Sequence, residues 1–215
     1  MRGFPVWLAA IALLASCGDN AAAPNNGTAE RATAPKAEAP APDRARVRIS
    51  TDMGDIIVLL DGRRAPVTTA NFLLYADQGR FDGTTFYRAA RNRTAPRRGF
   101  IQGGIRRDYR RMLPPIAHEP TSRTGLRHGE GAISMAKADG GAGAMGEFFI
   151  TANPIPSMDA QGGDPGFAAF GRVVEGMDAV RRILAAPTVP NAGRGSMRGQ
   201  MIERPVRILR VRRVS

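Results

Sequence analysis

From residue 46 the chain alternates between charged and apolar positions. Arg46-Val47-Arg48-Ile49-Ser50 sends its two kinds of side chain to opposite sides of an extended backbone, which predicts a strand with one buried face. Gly54 marks a turn, and the apolar run 56–60 predicts a second strand, ended by Asp61-Gly62. Pro66 opens a helix at a first-turn position, Thr69, Phe72, Leu73 and Ala76 recur at helical spacing, and Gly79 ends it. Residues 81–104 return to strand pattern, interrupted by the polar, basic stretch 91–98. Residues 105–130 carry no period and read mostly as loop. Strands are expected at 131–136 and 146–151, separated by Gly140-Gly141-Ala142-Gly143. A loop rich in Pro and Gly covers 152–166, and 167–173 is a strand. A second helix covers 175–185, with Met177, Val180 and Leu184 on one face, Asp178 near its start and Arg181 and Arg182 near its end, as the helix dipole favours. Residues 186–204 read as loop and 206–214 as the last strand. Many short strands with two helices, and no internal repeat, predict a closed β-barrel capped at its ends.

The first 45 residues follow different rules. Arg2 and the apolar run 6–15, too short to span a bilayer as a mature helix, read as a targeting segment covering 1–16. It closes on Leu14-Ala15-Ser16-Cys17, which resembles the lipobox of bacterial lipoproteins and implies lipidation of Cys17. An ordinary secretory signal with an incidental cysteine is the plainer alternative. Residues 17–45, rich in Ala, Pro, Asn and Thr, form a disordered tether; about 27 such residues reach roughly 30 Å. The residue after Cys17 is Gly18, with Asp19 following; an aspartate directly after the cysteine is missing, which favours the outer over the inner membrane, facing the periplasm. The Asn26 and Asn92 sequons are chance matches in such a protein.

Composition narrows the partners. Net charge is +12, and leader and tether cancel, so the whole excess falls on residues 45–215. Arg-rich pairs such as Arg106-Arg107 and Arg110-Arg111 suit anionic lipid headgroups or cell-wall polymers. The export signal argues against nucleic acid. Cys17 is the single cysteine, so no internal disulfide exists. His118 and His128 lack metal-ligand spacing, and residues 140–146 lack the Gly-Lys-Ser/Thr end of a phosphate loop, so neither a metal nor another cofactor is expected. Both histidines read as ordinary polar residues on loops, and no Ser/His/Asp triad can be placed from sequence.

Two stretches organise the rest: Phe86-Tyr87-Arg88 through Phe100-Ile101-Gln102-Gly103-Gly104, and Ser134-Met135-Ala136-Lys137 followed by Glu147-Phe148-Phe149-Ile150. By strand alternation Phe86 and Arg88 point one way and Tyr87 the other, while Phe100 pairs with Gln102 and Glu147 with Phe149. One arginine, one amide and two phenylalanines then meet on one surface. These four segments, in this order, resemble the cyclophilins, the prolyl cis/trans isomerases, over about residues 46–215. The resemblance implies eight antiparallel strands closed into a barrel with a helix at each end, a monomer, and clients that are unfolded or extended proline-containing polypeptides.

It also implies a site. The barrier to rotating a peptide bond is about 18–20 kcal/mol and comes from amide resonance. In the twisted transition state the proline nitrogen regains a lone pair, and a fixed donor aimed at it helps only there. Arg88 matches the family's catalytic arginine. Phe100, Phe149 and Met158 match the lining of its proline slot, with Phe167 where the family often has histidine. Gln102 matches the glutamine that holds arginine and substrate backbone, and Ala136 the backbone that pairs with the peptide. Five departures stand out, one of them that residues 91–98 differ from the family's short Pro-Gly connection. Glu147 replaces a glutamine and can accept from Arg88 but not donate to a substrate carbonyl. Lys137 replaces an asparagine, Gly99 stands where the family has phenylalanine, and Ser157 falls near its tryptophan, which weakens cyclosporin binding more than catalysis. The leading expectation is a membrane-tethered isomerase assisting folding of exported proteins; the alternative is a non-catalytic module of the same fold that binds Pro peptides.

Overall fold

The computed structural model describes residues 41–106, 108–137 and 145–215. The leader, Cys17, most of the tether, Arg107 and Gly140 to Gly143 lie outside the described residues. The first strand, β1 (Arg44–Thr51), starts two residues before the expected boundary, with Ala45, Val47, Ile49 and Thr51 inward and Arg44, Arg46 and Arg48 outward. β2 (Gly54–Asp61) pairs antiparallel with it. Next come β3 (Thr85–Arg91), β4 (Gly99–Gly104), β5 (Ala132–Met135), β6 (Glu147–Thr151) and β7 (Ala168–Glu175). The predicted loop 186–204 contains a two-residue strand, β8 (Thr188–Val189), and the start of β9 (Met201–Val214). The last strand thus begins five residues earlier than its apolar pattern shows, because Glu203-Arg204-Pro205 breaks that pattern while the backbone stays extended.

The order β1-β2-β7-β5-β6-β4-β3-β9 closes on itself through a β1–β9 ladder, giving an eight-stranded antiparallel barrel with β8 added on β9. Closure leaves these eight strands without a free edge. Helix α1 (Pro66–Asp77) packs on β9, β2 and β7. Helix α3 (Met177–Ala185) packs on β3, β2 and β4, and a one-turn helix, α2 (Thr121–Thr124), adds a third that the sequence pattern did not show. The second predicted helix begins at Met177, not Glu175, which is the last residue of β7. Its buried stripe is Ala179, Val180, Ile183 and Leu184, with Met177 half-buried beside it.

α1 shows how distant residues complete a local signal. Its N-cap residue, Ala65, has no side-chain acceptor to offer. The carboxylate of Glu119, itself buried, accepts instead from Val67 N (3.3 Å), Thr68 N (2.8 Å) and Thr68 Oγ1 (2.6 Å). A negative charge there also complements the helix dipole. At the other end Gly79, at φ +63, lets Gly79 N reach Ala76 O and Arg80 N reach Tyr75 O, a Schellman closure. The core is aromatic at its centre: Phe72 meets Phe81, Phe148 and Phe170 at 5.0, 5.4 and 5.3 Å between ring centroids.

Candidate active site

The site forms on the outer face of three adjacent strands. On β6, Phe148 enters the core and Glu147 and Phe149 face outward; on β4, Ile101 enters and Phe100 and Gln102 face outward. On β3 the expected alternation fails. Phe86 pairs with Gly103 and Arg88 with Gln102, so Tyr87 is an extra residue, a β-bulge. The bulge lets consecutive side chains share a face. Phe86 lies in the core, edge-on to Phe148 at 5.6 Å, while Tyr87 and Arg88 both reach the outer face. Phe86 and Arg88 therefore do not point the same way.

Arg88 is held on three sides. Nη1 donates to Gln102 Oε1 (2.9 Å), Nε donates to Gln200 Oε1 (2.8 Å), and the guanidinium lies 5.0 Å over the Phe100 ring. Burial lowers its pKa from the ordinary arginine value, against a smaller raising effect from Tyr87, and an arginine stays charged through such a shift. Gln200 was not among the candidate residues; it is 112 positions from Arg88 and enters from the turn before β9.

Glu147 does not pair with Arg88. Its Oε2 accepts from Tyr87 Oη (2.5 Å) and from Gln102 Nε2 (3.2 Å), and Gln102 Nε2 also donates to Tyr87 Oη (2.8 Å). This polar relay fixes the Gln102 amide. Its NH2 end must face the carboxylate and phenol, so its oxygen must face Arg88. Tyr87 is another site residue missed by the alternation. Burial first, then the charge and hydrogen bond of Glu147, push its phenol far above the usual tyrosine pKa, so it remains a donor. Arg106, the one non-glycine residue at positive φ (+40) among the described residues, lays its guanidinium 5.2 Å over the Tyr87 ring.

Beside Arg88 lies an apolar slot. Phe149 (2% exposed) meets Phe100 at 5.3 Å and Phe167 edge-on at 5.3 Å. Phe167 N donates to Met158 O (2.9 Å), which seats Met158 next to it on a 3-10 turn, Pro156–Met158. Lys137 Nζ sits 5.2 Å over the Phe167 ring. Ala136, at the end of β5, donates its N–H to Glu147 O (2.9 Å). Gly99, at φ +144, runs so close to β3 that an added Cβ would meet Ala90 O at 1.9 Å, which leaves no room for the phenylalanine expected there from the resemblance.

Behind the slot the histidine reading changes. His118, half-buried, contacts Pro165 O, but His128 is buried. Its Nδ1 is 2.7 Å from Asp159 Oδ1, its Nε2 is 3.0 Å from Ser134 Oγ, and its ring stacks on Phe149 at 5.7 Å. A carboxylate only accepts, so Nδ1 carries the proton and Ser134 donates to Nε2. Serine, histidine and aspartate do meet, yet Ser134 is 0% exposed and cannot reach a substrate carbonyl. The chain braces Phe149 from behind. Burial lowers the His128 pKa, more than Asp159 raises it, and keeps the ring neutral.

No group of three or more His, Cys, Asp or Glu among the described residues is placed to hold a metal. The site offers instead a fixed cationic donor beside an aromatic slot, open to an extended chain.

Known proteins share this chain's sequence pattern and fold. A family model described as "Cyclophilin type peptidyl-prolyl cis-trans isomerase/CLD" matches residues 46–213. The chain is 34% identical over 146 residues to the peptidyl-prolyl cis-trans isomerase A of Dickeya dadantii, covering 66% of this chain and 72% of the relative. It is 32% identical over 156 residues to the cyp18 isomerase of Streptomyces antibioticus, covering 71% and 87%. In fold it is similar to a Cryptosporidium parvum cyclophilin-type isomerase, with TM-score 0.62 and 21% identity over 80% of this chain and 98% of that one. A second structure of that protein was determined in the presence of the dipeptide Ala-Pro.

Proposed function

The chain belongs to the cyclophilin-type peptidyl-prolyl cis/trans isomerases and is an isomerase of X-Pro peptide bonds, and from that premise we propose that Arg88 is its catalytic donor. The observation that carries this reading is the clamp on Arg88. Gln102, Gln200 and Phe100 fix the guanidinium at the edge of the slot of Phe149, Met158 and Phe167. A proline ring in that slot puts its nitrogen beside the guanidinium. Planar amide nitrogen has no lone pair to offer; twisted nitrogen does, so the hydrogen bond strengthens only as the bond rotates. The donor is preorganised, so no reorganisation opposes it. Gln102, Ala136 and Glu147 flank the position of the peptide backbone.

The altered stretch 91–98 and Glu147 motivated the reading of a binding module without turnover, Glu147 because a carboxylate can accept from Arg88 but cannot donate to a substrate carbonyl. Its bonds go to Tyr87 and Gln102 instead, and the guanidinium keeps its charge for substrate.

Arg88→Ala tests the assignment. Loss of one preorganised donor costs about 10²–10³ in rate, roughly 2.7–4 kcal/mol. NMR exchange spectroscopy on a short Pro peptide should show kcat falling by that factor while Kd moves little, because the apolar slot remains. Isomerisation at the parent rate would make Arg88 a bystander. Arg88→Lys should restore little, since an ammonium lacks the planar fork that reaches Gln102 and Gln200 together.

The site of action we infer is outside the cytoplasm, on proline-containing polypeptides during folding after export, with the enzyme tethered through a lipid on Cys17 and facing the periplasm. Support for this comes from Leu14-Ala15-Ser16-Cys17 closing an apolar run and from the tether that follows. A single acyl chain binds membranes only marginally, so stable anchoring needs more than one. Cys17→Ala protein should leave the membrane fraction or keep its leader; mass spectrometry showing an unmodified Cys17 in the mature parent would overturn the anchor.

A further inference from the structure

At Gln200, which accepts from Arg88, the surface sinks into a polar recess of about 640 Å³. One wall is the β3–β4 connection with Arg91, Asn92 and Arg93, and the other is the turn before β9 with Arg198, Gly199 and Gln200. Both walls are built. Asn92 Oδ1 accepts from Thr94 N, Thr94 Oγ1 and Ala95 N, and Asn92 N reaches Arg98 O. Gly199 N reaches Ala192 O across the opposite turn, and Arg198 Nη2 donates to Asn191 Oδ1. Arg91 is pinned by the carbonyls of Leu184 and Ala186 and the hydroxyl of Thr188.

The charge in this recess is unbalanced. No carboxylate lines it among the described residues. Some arginines elsewhere have acidic partners, as in Arg46–Glu175, Arg182–Asp178, Arg212–Asp82 and Arg213–Asp77, while Arg172, Arg204 and Arg210 have none among the described residues. Arg93 and Arg198 also have none among the described residues, and what sets them apart is that they face one recess together with Arg91, while Arg97, Arg98 and Arg194 continue its walls in sequence. The recess is also continuous with the peptide site: Gln200 lines it, accepts from Arg88 through its side chain and takes Ala89 N at its carbonyl (2.9 Å).

We propose that this recess is a second subsite of the groove, taking acidic side chains that flank the client's proline. The proposal rests on the isomerase reading and names a substrate preference for it. Arginine forks match carboxylates in geometry as well as charge. A concave site continuous with the groove suits a peptide emerging from it better than the plane of a membrane. Clients with Asp or Glu beside an X-Pro bond are then bound and turned over in preference to neutral or basic ones.

The test uses the full mature chain and three peptides sharing one X-Pro core: neutral, with two glutamates on the N-terminal side, and with two on the C-terminal side. Exchange spectroscopy gives kcat/KM and fluorescence anisotropy gives Kd, at low and high salt. Exposed ion pairs each contribute up to about fivefold, so one acidic peptide should exceed the neutral one by about three- to tenfold. That advantage should fade near 1 M salt, where the screening length is about 3 Å. Arg93→Glu/Arg198→Glu should abolish or invert the preference while leaving the neutral peptide's rate unchanged. Equal rates and affinities for all three peptides, or a preference that survives the charge reversal, would overturn the subsite. So would loss of binding to acidic phosphatidylglycerol vesicles on charge reversal with no change in any peptide, which assigns the recess to a membrane surface. Failure to turn over even the neutral peptide would instead strike the isomerase reading, and the anisotropy comparison would still decide the subsite.

Discussion

Tyr87→Phe probes the relay that sets the Gln102 amide. The substitution keeps the ring, which is 4% exposed, so it opens no cavity beyond the hydroxyl itself. It removes the bond from Tyr87 Oη to Glu147 Oε2 and the bond from Gln102 Nε2 to Tyr87 Oη. A hydrogen bond to a charged group contributes about 1.5–3 kcal/mol. The lost Gln102 bond is compensated in part, since Nε2 keeps Glu147 at 3.2 Å. The expected loss is therefore about 2–3 kcal/mol, which for a domain of this size lowers Tm by roughly 4–12 °C. Thermal and urea unfolding of the parent, Tyr87→Phe, Glu147→Ala and the double variant make a cycle that isolates the phenol–carboxylate bond. Its coupling should lie between about 0.5 and 3 kcal/mol. The double variant also removes both acceptors that turn Gln102 toward Arg88, so its kcat should fall further than either single variant's. Strict additivity in stability, with unchanged kcat in the double variant, would refute the relay.

Two further outcomes follow from buried polar groups. The His128 pKa in the folded state lies below its ordinary value, so above about pH 6.5 the ring is neutral both folded and unfolded. As pH falls from there, the unfolded chain takes up the proton first and stability declines until the folded value is reached. The urea midpoint should drop between pH 7 and pH 5 and drop less in His128→Gln; equal pH dependence in both proteins would remove His128 from the account. Glu119→Ala leaves Val67 N and Thr68 N without their acceptor at the start of α1. It should cost about 2 kcal/mol and lower Tm by several degrees, and a melting curve that matches the parent's would show that the cap contributes nothing.

The fold was readable where the chain's own period decides the structure. Alternation gave β1, since a strand with one wet face must put Arg46 and Arg48 opposite Val47 and Ile49. α1 announced itself by Pro66 and Gly79 because each residue's backbone preference suits one helix end. The start of β9 did not, because Pro205 and its charged neighbours read as loop, while the pairs on either side of them, Met201 and Ile202 with β8 and Val206 and Arg207 with β3, keep the backbone extended. Long-range ladders override local propensity there.

The site divides along the same line. Phe100, Gln102, Glu147 and Phe149 lie on two regular neighbouring strands, so period-two counting placed each on the outer face. That counting failed at one position, because a bulge inserts a residue without changing composition or hydropathy. The failure concealed Tyr87 and misassigned Phe86, although the aromatic-x-Arg pattern itself was visible. What supports the reacting groups was hidden for a different reason. Gln200 is 112 residues from Arg88, Asp159 is 31 from His128, and Glu119 is 51 from Thr68. Each is a single polar side chain in a loop, with no periodicity to mark it, and each is needed because its partner is buried and costs free energy if unpaired. Local pattern therefore locates the groups that touch substrate, and only tertiary closure shows which distant residues hold them. The same reasoning explains why a glutamate is tolerated in place of glutamine at position 147. The bulge brings the Tyr87 hydroxyl to that carboxylate, which gives the charge a donor of its own and spares Arg88 from neutralising it.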